Sequence, residues 1–268
     1  MRISEINIYP IKSLAGISVD SATIEDRGLA IDRRWMLVDA ANNFITQREV
    51  PAMATVGLSV AEGSIRAAMN GDSIELPFEP GGDKKGRVKI WSSSVKAAFY
   101  DDTVNGWFSA RLGVECSLVR MPDSSKRLVN PFYSVRKFQD TVSFADGYPF
   151  MLLGQASVDE LNSRLSEPLP MNRFRPNFVV ESSEPFAEDT WKKIRIGETV
   201  FHVVKPCERC AITTVDQTKG EKAGPEPLKT LNTFRNRKGK LLFGQNLIAE
   251  TAGGTVKIGD AIDVMEYK

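Results

Sequence analysis

Short β-compatible segments at close spacing are the feature that most limits how this 268-residue chain can fold. In the N-terminal part they are the alternating Ile3, Ile6 and Ile8, then residues 35–39, 54–60, 64–69, 73–76 and 87–90. Asn70 and Gly71 lie between two of these segments and predict a tight hairpin, because both residue types tolerate positive φ. Many short strands joined by turns favour a barrel or a sandwich over a doubly wound sheet.

Helical signals are confined to three segments: residues 102–113, residues 157–165 and the residues that follow Pro227. In the first segment, Asp102 is the expected N-cap and Gly113 the expected stop. In the second, Ser157 and Glu160 have the spacing of a capping box. In the third, apolar residues recur at helical spacing.

Composition indicates an ordinary globular protein, with 42% hydrophobic and 26% charged residues. The net charge of +1 favours neither a nucleic acid nor a membrane surface as partner. Three cysteines are too few for a disulfide framework and indicate a reducing compartment. No signal-peptide pattern occurs, and no apolar run approaches the ~20 residues needed to span a bilayer. We therefore expect a soluble cytoplasmic protein without nucleic-acid or membrane partners.

A polar and basic stretch at residues 121–139 predicts a boundary between two domains. Residues 1–120 hold the segments described above and the first helix, whereas residues 121–268 form a second, β-rich half. The predicted class is mainly β with a few helices (α+β). No Gly-x-Gly-x-x-Gly or phosphate-loop pattern occurs, so a nucleotide-binding fold has no support.

Cys207 and Cys210 form a Cys-x-x-Cys pair in the second half. Pro206 interrupts strand hydrogen bonding, so we expect both thiols in a connection between the strand-like residues 199–204 and 211–215. Lys205 and Arg209 flank Cys207, and positive charge favours the thiolate form that binds metals.

Four interpretations of this pair remain open from the residues alone. Zinc would need Cys116 and the single histidine, His202, as further ligands. A dithiol–disulfide pair would need a helix after the first cysteine. A soft metal such as molybdenum could take one protein sulfur and draw its other ligands from a dithiolene cofactor. The pair could also be two small buried residues in a turn.

Cationic residues lie where strands begin or end, as an anionic pterin-phosphate cofactor would require. Lys12 and Ser13 follow the first strand, Arg33 precedes Trp35, and Arg175 precedes the strand-like residues 178–180. For each of them taken alone, a solvated charge at a strand end is the favoured interpretation.

Ordered motifs along nearly the whole chain identify a family. They are YPIKSLAG (9–16), DRRWML (32–37), ITQRE (45–49), SFADGYPF (143–150), NRFRPNFVV (172–180), EDTWKKIRIG (188–197), KPCERCAITTVD (205–216), EPLKTL (226–231) and FGQN (243–246). In this order they resemble the MOSC family, the molybdenum cofactor sulfurase C-terminal domain proteins. The match is to its bacterial YcbX-type members and to the mitochondrial amidoxime-reducing components.

The resemblance implies a binding site for a molybdenum cofactor. It makes Cys210 the molybdenum ligand and catalytic residue, and Cys207 a supporting residue. The implied contacts to the molybdenum–molybdopterin cofactor are Lys12, Ser13, Arg33, Gly147, Tyr148, Arg175, Asn177, Glu208, Arg209 and Asn246. Two positions depart from the family pattern: Glu208 replaces a common serine, and Asn246 replaces a tyrosine of the amidoxime-reducing component.

The resemblance also implies a fold and an activity. The fold is a Greek-key MOSC β-barrel packed against an N-terminal α/β domain, with the cofactor between them. The activity is two-electron reduction of N-hydroxylated bases, amidoximes or hydroxylamines. Because the chain lacks clustered cysteines, the electrons are expected from a separate flavin reductase or iron–sulfur protein. The alternative is a carrier of the cofactor or of sulfur, with a persulfide on Cys210. An association with pyridoxal phosphate binding is a further expectation.

Overall fold

A computed structural model describes residues 1–268, which form 21 strands and three α-helices. The helices are α1 (Asp102–Leu112), α2 (Gln155–Asn162) and α3 (Leu228–Phe234). The strands are β1 (Arg2–Ile8), β2 (Ile17–Val19), β3 (Ser21–Glu25), β4 (Gly28–Leu29), β5 (Trp35–Val38), β6 (Gly57–Ala61), β7 (Ser64–Met69), β8 (Asp72–Pro77), β9 (Lys85–Ile90), β10 (Ser93–Phe99), β11 (Ser117–Arg120), β12 (Phe150–Gly154), β13 (Phe178–Glu181), β14 (Trp191–Ile196), β15 (Thr199–Glu208), β16 (Val215–Asp216), β17 (Glu221–Lys222), β18 (Asn236–Arg237), β19 (Lys240–Ala249), β20 (Thr255–Lys257) and β21 (Ile262–Tyr267). The mainly β, α+β class is confirmed. None of the helices has the length and apolar character that a membrane span requires.

The largest sheet joins the two ends of the chain. Its order is β2-β1-β13-β12-β19-β15-β14-β21, with β18 added beside β19. β1 pairs antiparallel with β13, so the N-terminal strand belongs to the sheet that carries the cysteine pair. Its core contains Phe150, Phe178 and Phe201, whose rings lie 5.4 to 5.9 Å apart between centroids.

A second core lies under smaller N-terminal sheets. One sheet has the order β5-β11-β10-β9, and a three-stranded meander has the order β6-β7-β8. Phe108 of α1 and Trp35 of β5 are fully or almost fully buried in the core between them. The indole of Trp35 donates a 2.8 Å hydrogen bond to the hydroxyl of Tyr100, which satisfies its only polar group.

Local signals predicted most of these elements. The turn at Asn70 and Gly71 has positive φ at both residues (53° and 80°) and joins β7 to β8 as predicted. α1 ends at Gly113 as predicted, but its N-cap is Asp101, which accepts from the backbone N–H of Val104. α3 follows Pro227 as predicted.

Three local predictions failed. The capping box at Ser157 is wrong: α2 begins at Gln155, and the Ser157 hydroxyl donates instead to the buried carboxylate of Glu188 at 2.8 Å. The separate connection for both thiols is also wrong, since Cys207 lies inside β15, which pairs with β19 through Pro206 and Glu208. Residues 211–214 form a 3₁₀ turn instead of a strand.

Candidate functional site

One cleft gathers every cofactor-contacting residue that the family resemblance nominated. Segments from both halves of the chain line it. The nominated residues in its wall are Lys12, Ser13, Arg33, Gly147, Tyr148, Arg175, Asn177, Glu208, Arg209, Cys210 and Asn246. Asp146, Arg173 and Cys207 line it too, so cationic side chains outnumber carboxylates in its wall.

The ring of Tyr9 contacts two of the four arginines that line the cleft. The guanidinium carbons of Arg33 and Arg175 lie 4.3 and 4.2 Å from the centre of its ring. The Tyr9 hydroxyl donates a 3.1 Å hydrogen bond to the carbonyl oxygen of Pro176, and burial raises the pKa of Tyr9 to about 12. A neutral phenol in contact with two cations stabilises both by cation–π attraction.

Arg33 is held by buried acceptors. Its Nη1 donates to the carboxylate of Asp32 at 2.7 Å and to the side-chain oxygen of Asn177 at 3.3 Å. Asp32 is fully buried, and it also accepts the backbone N–H of Tyr9 at 2.8 Å. Asn177 therefore acts on the cleft through Arg33, because its own amide is engaged with protein atoms.

Three of the nominated residues have left-handed backbone conformations. The φ angles are 65° at Ser13, 51° at Arg33 and 54° at Arg175. A residue with a Cβ atom adopts this region at a cost of about 1–2 kcal/mol relative to right-handed backbone. Such conformations cluster at ligand-binding sites, where the surrounding structure imposes them.

Arg175 has an unused donor. Its Nη2 is shielded from solvent and has no hydrogen-bond partner, while Nη1 only approaches the side-chain oxygen of Gln217 at 3.5 Å. Burial lowers the pKa of Arg175 to about 10, so the guanidinium is charged at neutral pH. An unpartnered buried cation is costly unless an anion completes its hydrogen bonds. The residues present thus suit an anionic ligand.

Three other nominated side chains are occupied by protein partners. The guanidinium of Arg209 donates to the carbonyl oxygens of Phe243 and Phe174 at 2.7 and 2.9 Å. Glu208 accepts from Lys240 at 2.9 Å, and the Asn246 amide donates to the Lys205 carbonyl at 3.2 Å.

Gly147 has open space where a Cβ would stand, so a ligand can approach its backbone closely.

The two thiols stand in different environments. Cys207 packs against the buried cluster that contains Phe174 and Phe243, and burial raises its pKa although Arg209 opposes the shift. Cys210 is exposed, and its carbonyl oxygen accepts both the backbone N–H and the hydroxyl of Thr213, at 3.1 and 3.0 Å. The exposed thiol at the cleft is therefore Cys210, whereas Cys207 stays protonated beneath it.

A zinc site made only of protein ligands is wrong. Cys116 lies in the N-terminal core beside Ser109, and His202 lies on β15 with Glu250 4.0 Å from its Nε2. No three His, Cys, Asp or Glu side chains come together as a metal-binding group.

Sequence reasoning missed Tyr9, Asp32 and Asp146 as parts of the site. Tyr9 and Asp146 stood inside the quoted motifs YPIKSLAG and SFADGYPF, and Asp32 opened DRRWML. A polar residue next to a nominated one was the available signal.

Comparisons with known proteins cover most of the chain. The MOSC N-terminal beta barrel domain matches residues 1–115, and the MOSC domain matches residues 139–263. Mitochondrial amidoxime-reducing component 1 of Mus musculus is 30% identical over 276 residues, which cover 97% of this chain and 81% of that protein. The chain belongs to the MOSC family.

Other MOSC-family relatives differ in length. The human mitochondrial amidoxime-reducing component 1 is also 30% identical, over 97% of this chain and 82% of that protein. The molybdenum cofactor sulfurase of Oryza sativa subsp. japonica is 34% identical over 91% of this chain, which spans only 32% of the sulfurase. None of these names refers to pyridoxal phosphate, so that expectation has no support. Among solved structures, YiiM from Geobacillus stearothermophilus is 14% identical and aligns with 44% of this chain and 55% of the YiiM chain. The TM-score of 0.34 is too low to indicate a shared overall fold.

Proposed function

We propose that this MOSC-family chain binds the molybdenum–molybdopterin cofactor and reduces N-hydroxylated compounds with electrons from a separate redox partner. One observation carries the proposal: the exposed thiol of Cys210 lies in the wall of a cationic cleft that contains Arg175, whose Nη2 has no hydrogen-bond partner. The names of the mouse and human relatives, both amidoxime-reducing components, support the same substrate class.

The donor set suits the cofactor in two ways. A thiolate is a preferred ligand of a soft metal, and Cys210 is the one exposed cysteine. Lys12, Ser13, Arg33 and Arg175 would hold the anionic pterin and phosphate groups, since charged donors make the strongest hydrogen bonds to phosphate oxygens. When bound, the cofactor would supply the two-electron chemistry that breaks the N–O bond.

The remaining residues of the cleft would orient this assembly. Tyr9 holds Arg33 and Arg175 through cation–π contacts, and Asn177 and Asp32 fix the direction of Arg33. Cys207 remains a neutral thiol under the loop and so does not compete with Cys210 for the metal. Arg209 ties the loop to β19 through the carbonyl of Phe243.

The second candidate is a carrier of the cofactor or of sulfur, with a persulfide on Cys210. Two observations favour it: the Cys210 thiol is exposed, and the rice relative at 34% identity is a molybdenum cofactor sulfurase. A carrier would release sulfide from Cys210 on reduction, whereas the reductase would turn over substrate repeatedly.

The deciding experiment measures metal, pterin and turnover on one preparation. Protein from a cofactor-producing host is expected to contain molybdenum and pterin in equal amounts and to reduce an amidoxime with dithionite-reduced viologen. The same protein should give no turnover with reduced nicotinamide until a reductase is added. Cys210→Ser is expected to abolish activity, and Cys207→Ser, the matched control, to retain a substantial part of it. Full activity in the Cys210→Ser variant, or fully loaded protein without any turnover, would reject the reductase.

A further inference from the structure

A second cationic group adjoins the cleft at Lys12. The ammonium of Lys12, which is only 7% exposed, donates to the carboxylate of Asp146 at 2.5 Å, and the Asp146 side chain is 58% exposed. The same carboxylate oxygen accepts the indole N–H of Trp91 at 3.2 Å. A half-exposed carboxylate thus covers a buried ammonium.

Arg48 stacks on Trp91 and has unused donors. Its guanidinium carbon lies 4.7 Å from the centre of the Trp91 ring, which in turn packs on Phe44 with centroids 5.0 Å apart. Nε and Nη2 of Arg48 are shielded from solvent, and neither has a hydrogen-bond partner. Guanidinium donors that are shielded from water and have no acceptor destabilise the fold. The Trp91 ring attracts the flat face of the Arg48 guanidinium but does not accept hydrogen bonds from Nε and Nη2 at its edge.

Arg127 adds a third cation beneath the same segment. It is 7% exposed, and it donates to the carbonyl oxygens of Ser143, Ala145 and Asp146 without any carboxylate partner. Lys12, Arg48 and Arg127 carry three positive charges and Asp146 carries one negative charge, which leaves a net charge of +2 on the four residues. A phosphate monoester carries about −1.5 to −2 at neutral pH. One such group would neutralise the cluster.

We propose that Lys12 and Arg48 form a binding subsite for a phosphate monoester, and that Asp146 is the counter-ion that the phosphate displaces. The guanidinium of Arg48 offers the planar pair of donors that binds two phosphate oxygens, and Lys12 contributes a point charge. Trp91 positions the guanidinium by stacking. The inference rests on the proposed function only for the source of the phosphate, which is either the cofactor or a free phosphate-bearing ligand.

The test uses the full chain purified from a host that makes no molybdenum cofactor, with inorganic phosphate as the probe. Phosphate binding is followed by ³¹P line broadening at constant ionic strength, with chloride as the reference anion. Arg48→Gln is expected to weaken phosphate binding by roughly tenfold to a hundredfold, the loss of one or two charge-assisted hydrogen bonds. Arg66→Gln is the matched control, because Arg66 is an exposed β7 residue bonded to Ser73.

Asp146→Asn supplies an independent check, because removal of the counter-ion should tighten phosphate binding. Unchanged affinity in a folded Arg48→Gln variant overturns the proposal. Should Arg48→Gln fail to fold, equal or weaker phosphate binding by Asp146→Asn overturns it instead. These measurements need no metal, so failure of the reductase proposal leaves them unaffected.

Cofactor-loaded protein then distinguishes the two sources. If the cofactor's own phosphate occupies the subsite, loaded protein will bind no inorganic phosphate and Arg48→Gln will lower pterin content. If the subsite takes a free phosphate-bearing ligand, loaded protein will bind inorganic phosphate as well as the unloaded protein does.

Discussion

The Nε of Arg209 donates a 2.7 Å hydrogen bond to the carbonyl oxygen of Phe243, which lies 34 positions further along the chain. Arg209 directly precedes Cys210, so this bond ties the backbone of the exposed thiol to β19. The backbone N–H of Arg209 adds a 2.8 Å bond to the carbonyl of Leu241. The position of the Cys210 thiol therefore depends on a buried cation that bonds carbonyl oxygens.

Arg209→Met should destabilise the fold. The change leaves the carbonyl oxygens of Phe243 and Phe174 without their donors in a buried setting, at a cost of about 1–3 kcal/mol for each group. Urea unfolding of the cofactor-free protein measures the loss. Arg237→Met is the control, because Arg237 is exposed on β18 and a surface change of this kind costs less than about 0.5 kcal/mol. Equal stability of the two variants would contradict the anchoring role of Arg209.

The two thiols should react with iodoacetamide at very different rates. Cys210 is exposed, whereas Cys207 is only partly exposed and burial raises its pKa, so that less of its thiolate is present. Mass spectrometry of native protein at pH 8 should find Cys210 modified first and Cys207 modified much more slowly. Labelling in a Cys116→Ser background removes the third thiol. Modification of Cys207 before Cys210 would refute the assigned environments.

Arg175→Ala should lower cofactor occupancy far more than it lowers the Tm of the cofactor-free protein. The guanidinium has a donor without a protein partner, and a charge-assisted hydrogen bond to phosphate is worth about 1.5–3 kcal/mol, which corresponds to roughly a tenfold or greater loss of affinity. Pterin content and differential scanning fluorimetry give the two readings. Arg195→Ala, which removes an exposed arginine paired with Asp263 on β14 and β21, should leave pterin content unchanged. Normal pterin content in Arg175→Ala would exclude Arg175 from the clamp.

Asp140→Asn should destabilise the protein in a pH-dependent way. Burial alone would raise the pKa of Asp140, but hydrogen bonds from Arg136, Ser134 and the Val135 backbone together lower it. A carboxylate with a lowered folded-state pKa stabilises the fold above its ordinary value near 3.8, and this contribution disappears as the pH falls through the folded-state value.

At pH 7 the Asp140→Asn variant should therefore lose about 1–3 kcal/mol of unfolding free energy, because an amide nitrogen would face hydrogen-bond donors. The difference from wild type should shrink as the pH falls below about 4. Unfolding free energies across this pH range check the prediction. Asp263→Asn, at an exposed carboxylate, is the control. A difference between the Asp140 variant and wild type that stayed constant with pH would show that the carboxylate charge is not the source of the stability.

Local sequence patterns predicted the elements whose hydrogen bonds are made within a few residues. The Asn70–Gly71 hairpin depends on backbone freedom at those two positions, and the stop of α1 depends on Gly113, which takes the left-handed conformation with φ 69°. The predicted caps at Asp102 and Ser157 failed because other partners compete. Asp101 takes the cap of α1, and Glu188 takes the Ser157 hydroxyl across the fold.

The sequence by itself determined the mainly β class, the family and eleven of the residues that line the cleft, because motif order and residue type are properties of the chain alone. Only the tertiary structure decided which of those side chains are free to bind. Arg209, Glu208 and Asn246 are engaged with Phe243, Lys240 and Lys205, whereas Arg175 and Arg48 keep unpartnered donors. The physical reason is that a hydrogen-bond partner is set by distance in space, and here the partners come from strands far apart in sequence, such as β15 and β19.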